Sequence, residues 1–235
     1  LSSVQEQKHP EVEHILIDGA SQDGTLGVIH GCGAQPAVFI SEPDSGIYDA
    51  LNKGLSYAGG DVLGILHGDD VFANPDVLSR VSRVFEDDKS IDVVIGDVLF
   101  VSSDNLRRPV RLYRSGKFRQ WMFRYGFMPA HTATFIRKSF ANQIGSYNLK
   151  YKSAGDFDYM LRLILIAQGR VHYFNEVLVN MSMGGVSSSG WVSYRRTTKE
   201  LLLILREHKI YTNYFLLLLR LPVKFLGRFI FFPQR

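Results

Sequence analysis

The residues able to do chemistry fall in short clusters, and the sharpest is His67-Gly68-Asp69-Asp70. It ends an apolar run from Val62 to Leu66, which follows Gly59-Gly60-Asp61 and reads as a buried strand. Two adjacent carboxylates at a strand's C-terminal end stand where open α/β sheets hold ligands. Adjacent acids repel unless positive charge lies beside them. A hard divalent cation that also carries a substrate's phosphates meets that need. The plainer reading is a strand-to-helix loop in which Asp69 or Asp70 caps the helix around Asn74-Pro75. The segment alone leaves both readings open.

Three further clusters carry polar groups in similar settings. Asp18 ends a strand from Glu13, followed by Gly19-Ala20-Ser21 and Asp23-Gly24-Thr25. A carboxylate there can accept hydrogen bonds from a nucleobase N–H or a ribose hydroxyl, while Asp23 organises the turn. The segment from Ser41 to Gly54 is densely polar and then turns helical. Asp44 and Ser45 suit its cap. Asp49, Asn52 and Lys53 lie near its start, where a phosphate or sugar could approach. Asp156 and Asp158 open an amphipathic helix and, as residues alone, read as N-terminal caps. His131 precedes a strand-like run, and a lone histidine is more often structural.

The elements that must position these groups alternate. Strands are expected at Glu13 to Asp18, Ala37 to Ser41, Val62 to Leu66 and Asp92 to Val101, with helices at Ile47 to Ala58 and Pro75 to Glu86. That is the pattern of a parallel α/β sheet. Farther on, Thr132 to Ile136, Val171 to Phe174 and Val177 to Met181 read as strands, and Asp156 to Ala167 as a helix. The helix places Phe157, Met160, Leu161, Ile164 and Leu165 on one face. The chain opens inside a helix that stops at His9-Pro10, where an α/β domain would open on a strand. Either the fold starts unusually, or a first strand and half a helix are absent, roughly 20–30 residues by the size of a βα unit, and the expectation is the absent strand.

Composition narrows the class. At 235 residues and 46% hydrophobic, the chain can bury a full core. A formal charge of +4 is too small to argue for a nucleic-acid partner. The single cysteine, Cys32, excludes an intrachain disulfide and a cysteine-rich zinc site. Basic residues concentrate in Arg107, Arg108, Arg111 and Arg114, which could meet an anionic acceptor or simply face solvent.

Three motifs in order resemble the family 2 glycosyltransferases, inverting enzymes with the GT-A fold. They are Ile17 to Thr25, Ser41 to Gly54, and His67-Gly68-Asp69-Asp70, with the likeness running from about Glu13 to Ser188. It is nearest to bacterial members that build surface polysaccharides. The resemblance implies a mixed, mostly parallel sheet flanked by helices and a nucleotide-diphosphate sugar as donor. Asp18 would meet the nucleotide base, with Asp44 and Lys53 also toward the donor. Asp69, with Asp70 beside it, would hold Mg²⁺ or Mn²⁺ and the diphosphate. His67 stands where many relatives have a first aspartate. In Ser153 to Leu163, Asp156 aligns with the catalytic base and Gly155 replaces a frequent glutamate. A sugar hydroxyl is a poor nucleophile until such a base takes its proton. Asp158 reads as structural. His131 is a candidate to line the donor phosphates or the acceptor, and Ser182 to Ser188 is a candidate closing loop.

Residues 191–235 form a helical, basic and apolar tail beyond the domain expected at 1–190. Arg220, Lys224 and Arg228 recur every fourth position among Leu, Phe and Ile, which makes one cationic stripe on a helix. Such a helix lies in a membrane interface or packs on protein. Spanning is disfavoured, because three cations would enter the hydrocarbon. The expectation is a cytoplasmic enzyme, peripheral on the inner face of the plasma membrane, with a saccharide or lipid-linked saccharide acceptor. The alternative is a non-catalytic remnant of the same fold that acts as a binding partner.

Overall fold

In the computed structural model, residues 1–102, 108–182 and 190–221 are described. A short helix α1 (Ser2–Gln5) leads into β1 (Ile15–Asp18), α2 (Thr25–Gly31), β2 (Val38–Ser41) and α3 (Ile47–Tyr57). Then come β3 (Val62–Gly64), β4 (Asp70–Phe72), α4 (Val77–Asp87), β5 (Val93–Val101) and β6 (Pro109–Tyr113). A 3-10 segment at Gln120–Tyr125 precedes β7 (Thr134–Arg137), α5 (Lys138–Ile144) and α6 (Gly155–Leu161). The last elements are β8 (Val171–Ser182), α7 (Gly190–Glu207) and α8 (Tyr214–Leu218).

The mixed α/β architecture expected from the sequence is present, with a different balance of strand directions. β1 and β2 form a parallel pair of their own. The larger sheet runs β3-β7-β5-β8-β4, with β6 on β5. Its only parallel pairing among the described residues is β5 with β8. The others are antiparallel, so the expected parallel majority is corrected. The strand–helix alternation dictates parallel neighbours only over the first half. Apart from β5 and β6, the antiparallel partners lie far apart in the chain, as β3 with β7 and β4 with β8.

β5 is the centre of the molecule. Val93 and Ile95 face one apolar core and Val94 and Val98 face the other, as the two-residue period of a strand requires. The regions expected as two strands around residues 171–181 are one strand, β8, whose register against β5 shifts near Asp97. Leu178 crosses β5 there so closely that a Cβ at Gly96 would lie 2.3 Å from its Cγ. The expected helix to Ala167 changes at Arg162 into a π-helical turn ending at Ile166.

The tail joins the first core instead of forming a separate unit. Leu201, Leu202, Ile204, Leu205 and Leu217 are buried in the same cluster as Phe157, Met160 and Leu161 of α6. The boundary expected near residue 190 therefore divides no core, and the expected continuous helix breaks between α7 and α8. Arg220 points inward, 3% exposed, with Nη2 donating to Thr198 Oγ1 at 2.7 Å and the guanidinium over the Tyr194 ring. It leaves the proposed lipid-facing stripe. Lys224 and Arg228 lie outside the described residues, as do Arg107 and residues 183–188 of the candidate closing loop.

β1 and β3 are not paired to each other, and a cavity of about 3120 Å³ is walled by both. The amides of Ala37, Val38 and Glu42 donate to the carbonyls of His14 and Asp18. Alternation then turns the Ile15 and Ile17 amides to the opposite, open edge. In hydrogen-exchange measurements, Ile15 and Ile17 should exchange faster than Leu16 between them. Equal protection of all three would mean that this edge is covered.

Candidate active site

Asp18 is held at the end of β1 by its own loop. Its Oδ1 accepts from Ser21 Oγ at 2.6 Å, and its Oδ2 from the Ser21 amide at 3.0 Å and Ser41 Oγ at 2.7 Å. These bonds, the Ser21 hydroxyl first, hold its carboxyl below the usual range, so it is ionised at neutral pH. A carboxylate has about four acceptor positions, which leaves roughly one for a ligand. Gly19 next door permits a close approach. A Cβ there would sit 2.5 Å from Asp44 Oδ2. The missing side chain thus brings the first two sequence clusters together on the cavity wall.

Asp44 organises the entry to α3, accepting from the Gly46 amide at 2.8 Å. Lys53 does not reach the cavity wall. Its Nζ pairs with Glu42 Oε1 at 2.8 Å and the Pro43 carbonyl at 3.0 Å, a brace for the same loop. Its expected donor contact is replaced by this structural task.

His67-Gly68-Asp69-Asp70 joins two strands. The capping reading fails, because Asp70 begins β4, opposite Met181 of β8, and the N-cap of α4 is Asp76. The two carboxylates differ sharply. Asp69 is exposed, whereas Asp70 is buried, and neither of its oxygens has a hydrogen-bond partner. Burial, with the Asp69 charge second, pushes the Asp70 carboxyl up to about 7. A buried, unpaired carboxylate is costly and calls for a compensating charge.

A divalent cation fits that requirement, with Asp70 and Asp69 as the residues to hold it. Among the described residues, no group of three or more His, Cys, Asp or Glu could cage an ion. A hard cation that keeps its waters and shares substrate phosphates needs only one or two carboxylates. His67 adds no charge, since burial lowers its pKa. His131 is also neutral, pushed down to about 3 by burial first and His67 second. Its Nε2 lies 2.7 Å from Tyr147 Oη, and its ring stacks near His67 with centroids 6.2 Å apart. It lines the cavity without offering a phosphate positive charge.

Asp156 lies in the first turn of α6 and opens into the same cavity. Its Oδ1 accepts from Tyr48 Oη at 3.2 Å. Burial, and Asp156 itself, raise the Tyr48 pKa, so the phenol stays protonated and donates. Gly155 makes this contact possible, because a Cβ there would lie 2.8 Å from the Tyr48 ring. Asp158, two residues on, is buried and paired with Arg162 at 2.9 Å and His208 at 3.1 Å, the structural role its position implied.

Sequence reasoning missed Tyr48, Tyr147 and Glu200. Tyr48 falls inside the Ser41 to Gly54 motif, and only the fold reveals its partner. Tyr147 exchanges two hydrogen bonds with the Asn52 side chain, at 2.7 and 3.0 Å. Glu200 of α7 accepts from the amides of Lys152, Ser153 and Ala154 at 2.8–3.1 Å, fixing the loop that leads into Asp156. No local signal joins residues so far apart in the chain.

The raised Asp70 pKa has a consequence for stability. The folded carboxyl keeps its proton up to about pH 7, while the unfolded one loses it near 3.8. Native stability therefore falls as pH rises through this window, and the cost is complete above it. With chelator present, Asp70→Asn should raise the melting temperature at pH 8 and give a shrinking gain toward pH 5. Thermal scans across pH check this, and a pH-independent difference would refute it.

The glycosyl transferase family 2 model matches residues 1–143. An uncharacterized glycosyltransferase of Mycobacterium tuberculosis is 32% identical over 171 residues, 72% of this chain. The chain spans 63% of that relative's length. A PGL/p-HBAD biosynthesis glycosyltransferase of Mycobacterium bovis is 29% identical over 193 residues, 80% of this chain and 73% of its own. Among solved structures, Staphylococcus aureus TarS 1-349 with UDP-GlcNAc superposes with a TM-score of 0.64 at 17% identity, covering 87% of this chain and 61% of that one. The mannosyltransferase PcManGT of Pyrobaculum calidifontis with GDP-Man and Mn²⁺ gives 0.63 at 17%, covering 97% and 67%. The sheet and its flanking helices are those of the GT-A fold. By the family model and by its sequence relatives, this chain belongs to glycosyl transferase family 2.

Proposed function

We propose that this chain transfers a sugar from a nucleotide-diphosphate sugar to an acceptor hydroxyl, with inversion at the anomeric carbon. The observation that carries this reading is one cavity into which Asp18, Asp44, Asp69 and Asp156 all open. Asp18 suits the nucleotide, with an ionised carboxylate and spare acceptor capacity. Asp69 and Asp70 suit the diphosphate end. A divalent cation bound there would neutralise charge on the leaving diphosphate.

Asp156 is the base. Its carboxylate takes the acceptor hydroxyl proton as the oxygen attacks the anomeric carbon. The bond to the diphosphate breaks on the opposite face and its electron pair leaves with the diphosphate. Tyr48 donates to Oδ1 and thereby orients the carboxylate, which opens into the cavity. The donors carried by solved relatives, UDP-GlcNAc and GDP-Man with Mn²⁺, support the donor class. We assign the acceptor to a saccharide or lipid-linked saccharide of cell-surface polysaccharide biosynthesis, at the cytoplasmic face of the membrane.

The test is transfer or donor hydrolysis by the purified protein with UDP-, GDP- and dTDP-sugars and Mn²⁺. Asp156→Asn should lower kcat by about 10²–10⁴-fold with donor affinity unchanged. Asp69→Ala should raise the Mn²⁺ concentration needed for half-maximal rate. Full activity in Asp156→Asn removes the base assignment. A folded protein that binds none of the donors by calorimetry would favour the non-catalytic reading.

A further inference from the structure

The outer side of the 3-10 segment Gln120–Tyr125 and the start of α8 leave large apolar side chains in solvent. Trp121 is 62% exposed, Tyr211 69%, Tyr214 54% and Phe215 70%. Leu218 and Leu219 beside them are exposed as well. These residues come from segments far apart in the chain, and the fold brings them together. The Arg124 Nε donates to the Tyr211 carbonyl at 3.1 Å, and its guanidinium lies over the Tyr211 ring. Thr212 Oγ1 donates to the Arg124 carbonyl at 2.7 Å. Trp121 meets Tyr125 edge-on at 5.8 Å. A contiguous apolar surface of this kind is uncommon on a protein that meets only water.

Its charge setting is one-sided. Residues 105 to 155 contain eleven Lys and Arg and no Asp or Glu, and residues 208 to 235 contain five and none. The whole chain carries only +4, so its acidic residues lie elsewhere. Around the patch, Arg119, Arg124 and Lys209 are exposed, and none of them pairs with a carboxylate among the described residues. Trp and Tyr mixed with cations is the composition that settles at the boundary between lipid headgroups and acyl chains. A protein partner would ask for a comparably acidic face. An anionic leaflet supplies that charge over any area.

From this arrangement we infer that Trp121, Tyr211, Tyr214 and Phe215 form a docking surface for an anionic lipid bilayer. The surface belongs to the folded domain and does not depend on Arg220, which the fold turns inward. It also faces the right way for the chemistry. Met122 on the same 3-10 segment, with Phe127 and Leu221, walls the cavity that holds Asp69 and Asp156. An acceptor anchored in the leaflet would enter that cavity from the docked side. The inference deepens the proposed function by naming where a lipid-linked acceptor is presented, and it rests on that reading only for this last point.

The chain has two tryptophans, so Trp191→Phe leaves Trp121 as the only reporter. That protein is mixed with phosphatidylcholine vesicles containing phosphatidylglycerol, with or without brominated acyl chains. Trp121 emission should shift blue and be quenched by the bromines, and only with the anionic lipid. Phe215→Ser or Tyr211→Ser should weaken vesicle partitioning about tenfold, with the circular dichroism spectrum unchanged. Vesicle binding without quenching of Trp121 overturns this surface and leaves a membrane role to the tail. No binding at all overturns both. Concentration-dependent shielding of Trp121 without lipid assigns the patch to a second copy and also overturns it. Sugar transfer to a soluble acceptor is measured separately, so its failure bears on the proposed function and not on the docking surface.

Discussion

The contact on which the site depends is the ring of Tyr48 against the bare backbone of Gly155. The β1–β2 pair makes no strand pairing to the larger sheet, so α3 must carry the connection between them. It does so through Tyr48, which stacks near Tyr147, which in turn stacks on Tyr159 at 4.0 Å. Leu51 and Leu55 follow into the same core. Asn52 adds two hydrogen bonds to the backbone of Tyr147. A side chain at 155 would push the ring away, at a typical overpacking cost of about 1–3 kcal/mol, and would separate Asp156 from its phenol. A glutamate at 155 is therefore incompatible with this packing of Tyr48.

Around that joint the carboxylates have been given different environments, and the differences separate their tasks. Asp18 receives three donors and stays charged. Asp70 is buried without donors and resists charge until something positive arrives. Asp69 is open to solvent. Asp156 has one oxygen engaged by Tyr48. Groups of one chemical type pushed apart in this way are how a site assigns distinct roles at one pH. His67 and His131, both neutral through burial, keep positive charge away from the Asp70 pocket. Neither histidine therefore compensates Asp70, which keeps its proton up to about pH 7.

Much of this was legible in the residues. Local order sufficed for β1, β2, α3, α4 and β5, whose apolar periods and flanking turns are unambiguous. Asp18, Asp44, Asp69 and Asp156 could be singled out because they sit at strand ends or helix starts, where sequence neighbours decide the setting. What could not be read was anything set by pairing at a distance. The antiparallel returns of β7 and β4 leave no mark in a two-residue alternation. Lys53 looks like a phosphate ligand until Glu42 is seen to hold it. Asp70 looks like a cap until it is found in a ladder with Met181. Glu200 is one more surface glutamate in a helix until three amides of a remote loop converge on it.

The tail is where local pattern misleads most. Spacing of four places Arg220 on a cationic stripe, yet a spacing of three places Leu217 and Arg220 on one helical face, and that face is the buried one. Arg220 is tolerated there because Thr198 and the Tyr194 ring receive the guanidinium, and because its long stem packs like a hydrocarbon. Once Arg220 turns inward, the opposite face must turn outward, and that face carries Phe215, Leu218 and Leu219. The buried cation and the exposed Phe215 are thus two results of one helical rotation. The rotation is set by Leu217, which has no exposure at all and seals the end of the core that α6 and α7 share. The same packing that holds Glu200 over the Asp156 loop therefore also fixes which side of α8 meets the surroundings.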